Sequence, residues 1–129
     1  VYVSFLNGCD YCVEHHYEGM RRRLADNDRA IEIMRNLRNN NLNEVFTKHE
    51  ILVLEYACHL TRTPSDLEGS DIIGLREAGY NDGEILELNQ IVSYFAYANR
   101  VVLGLGVTTD GDVLGLSPSS ESPDDWSHH

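Results

Sequence analysis

One long apolar segment near the C-terminus places the strongest constraint on the fold. Residues 81–106, "NDGEILELNQIVSYFAYANRVVLGLG", contain no proline and carry apolar side chains at helical spacing. Asn81 and Glu84 form a capping-box pattern, so we expect a helix from there to about Leu103, roughly 34 Å in length. Its second half is apolar nearly all round, which is typical of a central helix or of one at a subunit interface.

The rest of the chain also predicts helices, separated by glycine, proline and asparagine, and it shows no strand pattern. Helices are predicted over residues 1–6, 10–25, 28–37, 47–60 and 71–78. Thr47 forms a capping box with Glu50 at the start of one helix, and we expect Ser70 to cap the next and Gly79 to end it. The predicted fold class is therefore all-α.

The two ends of the chain differ from its middle. Residues 1–107 form the predicted helical domain, whereas the acidic, Pro/Ser-rich residues 108–129 predict a disordered tail. The chain opens inside an apolar run, "VYVSFL", and complete domains seldom begin in this way. We therefore expect an N-terminally incomplete chain.

Composition narrows the possible functions. A net charge of −11 argues against a nucleic-acid binder, and no window approaches the ~18 consecutive apolar residues that span a bilayer. Three cysteines, an odd number, argue against a structural disulfide framework and favour a reducing, cytoplasmic location.

The residues that carry chemistry cluster in "NGCDYCVEHH", residues 7–16. Cys9, Cys12 and His16 are separated by three and four residues, which places them on one face of a helix. Cys9 lies at the predicted helix start, where free backbone N–H groups favour an anion, and the His16 imidazole can reach the Cys12 sulfur. Such surroundings can lower a thiol pKa from about 8.5 to roughly 3.5–7.5 and favour the nucleophilic thiolate. The spacing indicates a redox-active pair that can close into a disulfide.

Other interpretations of the motif fit the residues less well, although a zinc site and a purely structural pair stay open. Zinc needs four ligands, and only the scattered His15, His49 and His59 could complete the set. A c-type haem site needs histidine directly after the second cysteine, where this chain has Val13. A thioredoxin-type site needs a preceding strand, which the sequence does not predict.

Cys-X-X-Cys-X-X-X-His in this motif resembles the signature of the AhpD-like family, within the alkylhydroperoxidase and carboxymuconolactone decarboxylase superfamily. Three further segments are similar to its peroxidase-related branch: "LTRTP" at 60–64, "DIIGLREAGYNDGEIL" at 71–86 and "YFAYANRVVLGLGV" at 94–107. The resemblance covers most of the chain. It implies an AhpD-like helical bundle that forms a homo-oligomer, commonly a trimer or hexamer.

The resemblance also implies a thiol-dependent peroxidase that reduces hydrogen peroxide or alkyl hydroperoxides. In that scheme Cys12 attacks the peroxide and becomes a sulfenic acid, Cys9 resolves it to a disulfide, and His16 relays the proton. These are the reversible steps of the cysteine oxidation ladder. No metal or organic cofactor is needed, and an external dithiol donor supplies the electrons. The family's relay glutamate would fall before Val1, which again favours truncation.

Two rival functions remain. A carboxymuconolactone-type decarboxylase would share the fold, but such enzymes lack the thiol pair. A redox adaptor would share the pair and pass electrons to another peroxidase.

Two residues outside the motif also need an explanation. Asn99 places a polar side chain on an apolar stripe of the last helix, so we expect it to have a hydrogen-bond partner. It would either pin a loop or subunit contact or act near the thiols. Cys58 lies on the face of Ile51 and Leu54, and we expect it to be a buried apolar residue.

Overall fold

A computed structural model describes residues 1–115, which form six α-helices and two 3₁₀ turns, with no strand among them. The α-helices are α1 Tyr2–Leu6, α2 Asp10–Leu24, α3 Asn27–Asn39, α4 Lys48–Arg62, α5 Gly69–Glu77 and α6 Asp82–Leu105. The 3₁₀ turns are Leu42–Glu44 and Pro64–Asp66. The predicted all-α class is confirmed.

The five-residue helix α1 lies at the centre of the bundle, in contact with α2, α4 and α6. Its successive side chains face different neighbours, so that Tyr2 packs with α3 and Val3 packs with α4 and α6. A separate cluster joins α4, α5 and α6. The buried members are Tyr2, Ile33, Leu37 and Leu42 in the first cluster, Val3, Ala57 and Val92 in the second, and Tyr56, Leu75 and Ile85 in the third.

Local capping signals determine most of the helix ends. The capping boxes that begin with Thr47 and Asn81 are both present. The predicted cap at Ser70 is wrong, because α5 begins at Gly69 and the Asp71 carboxylate accepts a hydrogen bond of 2.8 Å from the backbone N–H of Glu68. This carboxylate satisfies an orphan N–H one residue before the helix and so moves the helix start upstream of Ser70.

One face of helix α6 is buried in the core, and the opposite face is exposed. Val92 and Asn99 on its inner face are buried, whereas Tyr94, Tyr97 and Leu105 on its outer face are largely exposed, with Tyr97 at 67%. No helix among residues 1–115 has both the length and the apolar character needed to cross a membrane.

The chain returns to α2 after α6 ends. Arg22 of α2 donates a hydrogen bond of 2.9 Å to the carbonyl oxygen of Leu114, and the imidazole of His15 lies 3.2 Å from the Asp112 carboxylate. The beginning of the predicted tail thus contacts α2, the helix that carries Cys12. The rest of that tail, residues 116–129, lies outside the described part of the chain.

Candidate active site

The turn between α1 and α2 positions the first cysteine. Gly8 adopts a left-handed conformation with φ of +68°. Its N–H donates a hydrogen bond to the Phe5 carbonyl, and the Cys9 N–H donates one of 2.9 Å to the Ser4 carbonyl. These two hydrogen bonds are those of a Schellman motif, which ends a helix and reverses the chain direction. Cys9 is therefore both the last residue of this motif and the N-cap of α2, as the sequence predicts.

The two cysteines of the motif are adjacent, buried and reduced. Cys9 Sγ donates a hydrogen bond of 2.9 Å to Cys12 Sγ. Cys9 is 0% exposed and Cys12 is 5% exposed. Since sulfur atoms in a disulfide are about 2.05 Å apart, the reduced pair needs only a short approach to form that bond.

The acidity of Cys12 differs from the sequence-based expectation. Burial raises its pKa to about 11, because the buried thiolate is poorly solvated, and the neighbouring Cys9 adds to this effect. A hydrogen bond from the Asn99 side chain acts in the opposite direction and lowers the pKa. Desolvation is the largest influence on this thiol, and it outweighs the groups that favour the thiolate.

His16 lies one turn of α2 beyond Cys12 and faces outward. Its ring meets the ring of Phe95 on α6 edge-on, with centroids 4.8 Å apart, and the residue is exposed. The imidazole is therefore steadied by an aromatic contact and stays open to solvent, where protons can be exchanged.

A second histidine beside the pair is held by other groups. The ring of His15 lies against that of Tyr11, with centroids 4.6 Å apart and the planes tilted by 40°, and its Nδ1 accepts a hydrogen bond of 3.4 Å from the backbone N–H of Gly115. Its other ring nitrogen faces Asp112, so both nitrogens have partners. Burial raises the pKa of Tyr11, and a hydrogen bond to Asp112 adds to the shift.

Asn99 is wholly buried, at 0% exposure, and contacts the start of the chain. Its Oδ1 accepts a hydrogen bond of 3.0 Å from Asn7 Nδ2, and its Nδ2 donates one of 3.2 Å to Ser4 Oγ. Asn99 thus has the hydrogen-bond partners that its place on an apolar stripe predicts, and they belong to the turn that carries Cys9.

Cys58 lies on α4 and not on the helix that carries the pair. It packs partly buried against the cluster around Tyr2.

Two kinds of feature in residues 1–115 bear on what could bind near the thiols: clusters of metal-ligating side chains and surface depressions. Among residues 1–115, no group of three or more His, Cys, Asp or Glu side chains is arranged to hold a metal ion. A surface depression of about 490 Å³ lies beside Arg29, Glu32 and Arg35, and another of about 190 Å³ lies beside Tyr80 and Ile91. The cysteines line neither depression.

Phe95 and Asp112 are contacts that the sequence analysis missed. Phe95 is four residues before Asn99 on the same helix face, and this spacing could have predicted that Phe95 lies near the site. Asp112 carried no such signal, because its approach to His15 depends on how the chain returns after α6.

Comparison with known proteins supports the fold. The chain is similar to the crystal structure of an uncharacterised peroxidase-related protein from Silicibacter sp. TM1040, with a TM-score of 0.73 and 25% sequence identity. The match covers 83% of this chain and 54% of that protein, so this chain spans about half of its length. No family model and no curated protein matches the sequence. The AhpD-like, peroxidase-related fold expected from the sequence is confirmed.

Proposed function

We propose that this chain is a thiol-dependent peroxidase that reduces hydrogen peroxide or small alkyl hydroperoxides. One observation carries the proposal: two reduced thiols lie 2.9 Å apart at the start of α2, in a fold similar to that of a peroxidase-related protein. Cys12 is the proposed nucleophile, Cys9 the resolving thiol and His16 the proton relay.

The reaction balances with these three groups and one donor. The Cys12 sulfur attacks the peroxide, the O–O bond breaks, and Cys12 becomes a sulfenic acid while an alcohol, or water, leaves with a proton relayed by His16. The Cys9 thiol then attacks the Cys12 sulfur and releases water as the disulfide forms. An external dithiol reduces the disulfide and is itself oxidised.

The acidity of Cys12 determines how this chemistry must begin. With a pKa of about 11, only about one molecule in 10⁴ carries the thiolate at pH 7. Cys12 must therefore lose its proton as the peroxide arrives, and the imidazole of His16 is the proposed acceptor. Because Cys12 is 5% exposed, we also expect hydrogen peroxide to react faster than a bulky aromatic hydroperoxide.

The burial and high pKa of Cys12 also favour a second candidate, a redox adaptor. Such a protein would accept a disulfide from another peroxidase through the same two sulfurs, and it would consume peroxide slowly alone. The thiol pair still argues against a decarboxylase.

The decisive experiment follows the mass and the turnover of the reduced chain. After one equivalent of hydrogen peroxide, we expect a product lighter by two hydrogens, with Cys9 linked to Cys12 in the peptide map. Steady-state peroxide consumption with dithiothreitol should be lost in Cys12→Ser and retained in Cys58→Ser, the matched control, which changes a cysteine of α4. A disulfide formed without turnover would support the adaptor, and thiols that stay free would refute the peroxidase.

Two further expectations belong to this proposal. The exposed apolar residues Tyr94, Tyr97 and Leu105 on α6 support a homo-oligomer, which sedimentation velocity of the purified chain would detect. The three free cysteines fit the proposed cytoplasmic location.

A further inference from the structure

We infer that Asn99 of α6 is a positioning residue for Cys9: it holds the turn between α1 and α2 so that the resolving sulfur stays within reach of Cys12. The inference rests on the proposed function, in which this pair alternates between dithiol and disulfide. It assigns a role to a buried amide that belongs to the last helix and not to the thiol motif.

The Asn99 amide joins α6 to both sides of this turn. Its Nδ2 donates a hydrogen bond of 3.2 Å to Ser4 Oγ inside α1, and its Oδ1 accepts one of 3.0 Å from Nδ2 of Asn7, the C-cap of α1. Asn99 and Ser4 are both 0% exposed. Because water does not replace a partner that a buried polar group loses, these two hydrogen bonds hold the amide firmly against the turn.

Cys9 is fixed to the same turn through its backbone. Its N–H donates a hydrogen bond of 2.9 Å to the carbonyl oxygen of Ser4, the residue whose hydroxyl binds Asn99. Cys9 is also the N-cap of α2, and its φ of −94° and ψ of 86° lie outside the helical region. Helical spacing brings the two sulfurs together, and the turn determines how firmly Cys9 is held 2.9 Å from Cys12.

Positioning of this kind acts unequally on the dithiol and the disulfide. A disulfide itself fixes Cys9 against Cys12, whereas in the dithiol Cys9 can move once the turn loosens. A looser turn therefore gives the dithiol conformational freedom that closure must remove, and the disulfide becomes less stable relative to the dithiol. Simple attachment of α6 to the bundle would stabilise both redox forms equally. The redox equilibrium thus distinguishes the two roles, whereas the free energy of unfolding does not.

The test measures the equilibrium of the pair with glutathione, in full-length chain carrying Cys58→Ser so that only the pair exchanges. One glutathione disulfide takes two electrons and two protons from the two thiols and becomes two glutathione molecules, while the S–S bond of the pair forms. Anaerobic mixtures are equilibrated, quenched with acid and analysed by mass spectrometry, because the disulfide form is lighter by two hydrogens. The equilibrium constant gives the effective concentration of one thiol at the other.

Four variants separate positioning from general destabilisation. Asn99→Ala removes the amide. Ser4→Ala and Asn7→Ala each remove one partner of the amide and leave α6 unchanged, so they decide the question if Asn99→Ala does not fold. Asn36→Ala, which changes a buried asparagine of α3 that bonds the Glu32 carbonyl, is the matched control.

We expect the effective concentration to fall about tenfold in Asn99→Ala, the size expected when closure must order about one more backbone residue. For a two-electron couple, this fall raises the reduction potential by about 30 mV. Ser4→Ala and Asn7→Ala should each cause a fall of about threefold, since each removes one hydrogen bond, and the double variant should match Asn99→Ala. Asn36→Ala should keep the value of the parent.

Unchanged effective concentrations in the folded variants would overturn the inference. So would an equal fall in Asn36→Ala, because it would reveal a general effect of destabilisation. The equilibrium contains no peroxide, so lowered effective concentrations in a chain without peroxide turnover would refute the proposed peroxidase alone. Normal turnover with unchanged effective concentrations would refute this inference alone.

Discussion

Replacing Gly8 with alanine should weaken the turn that positions Cys9. Gly8 has φ of +68°, a conformation that costs an L-residue with a Cβ roughly 1–2 kcal/mol. A Cβ built on Gly8 would meet no heavy atom within 4 Å, so the cost is conformational and not steric. Alanine also restricts the unfolded chain more than glycine does, and this recovers about 0.4–1 kcal/mol of the lost stability. We expect a net loss of about 1 kcal/mol in the free energy of unfolding.

Gly104 provides the matched control for this substitution. A Cβ there would also meet nothing within 4 Å, but Gly104 lies inside α6 with ordinary helical φ. Gly104→Ala should therefore stabilise the chain by about 0.5–1 kcal/mol. Urea denaturation followed by circular dichroism would measure both changes, which should have opposite signs.

A third substitution and a chemical measurement sharpen the test of the turn. Gly8→Asn should lose less stability than Gly8→Ala, because asparagine tolerates the left-handed region better. Peroxide-driven formation of the Cys9–Cys12 disulfide should slow in Gly8→Ala and keep its rate in Gly104→Ala. If Gly8→Ala were as stable as the parent, the Schellman turn would not be a source of stability and the reasoning would be wrong.

Three further predictions concern stability. Thr47→Ala removes the side-chain cap of α4 and should lower the free energy of unfolding by about 1 kcal/mol in urea melts, whereas Thr63→Ala, which removes no capping hydrogen bond, should have little effect. A hydrogen bond from Arg21 lowers the pKa of Glu18, so the stabilisation by this pair is present above the ordinary glutamate pKa of 4.5 and is lost as the pH falls below it. The difference in unfolding free energy between the parent and Glu18→Gln should therefore be largest near neutral pH and should shrink in acid; a constant difference would contradict this assignment. The raised pKa of Cys12 has the opposite consequence. Its contribution to the free energy of unfolding is fully present below the ordinary thiol pKa of 9.0, and it decreases as the pH rises towards about 11. Cys12→Ser should flatten that alkaline decline in thermal melts.

Local signals in the sequence were sufficient to predict most helices. The capping boxes at Thr47 and Asn81 involve residues only three apart, so a sequence pattern contains the whole interaction. Gly79 ends α5 because it adopts φ of +101°, a conformation that glycine favours. Ser70 was predicted wrongly for a related reason, since an acidic residue three positions after Glu68 supplied the competing cap.

The candidate site was predictable in its composition but not in its acidity. Helical spacing alone brings Cys9 and Cys12 together. The pKa of Cys12 depends on burial beneath other helices and on a hydrogen bond from Asn99, and neither follows from spacing. Likewise, the contact of His16 with Phe95 needs the packing of α2 against α6, which a single sequence does not encode in a local pattern.

The separation of Cys12 from Asn99 along the chain has a consequence for synthesis. The ribosome adds about 5–20 residues per second, so the thiols are made roughly 4 to 17 s before the asparagine. Disulfide closure across three residues needs no distant partner, whereas the pairing of Asn99 with Ser4 and Asn7 must wait for the last helix to dock. The nascent chain therefore carries exposed, solvated thiols. They become buried only when folding is complete, and a cell that makes this chain must keep the pair reduced during that interval.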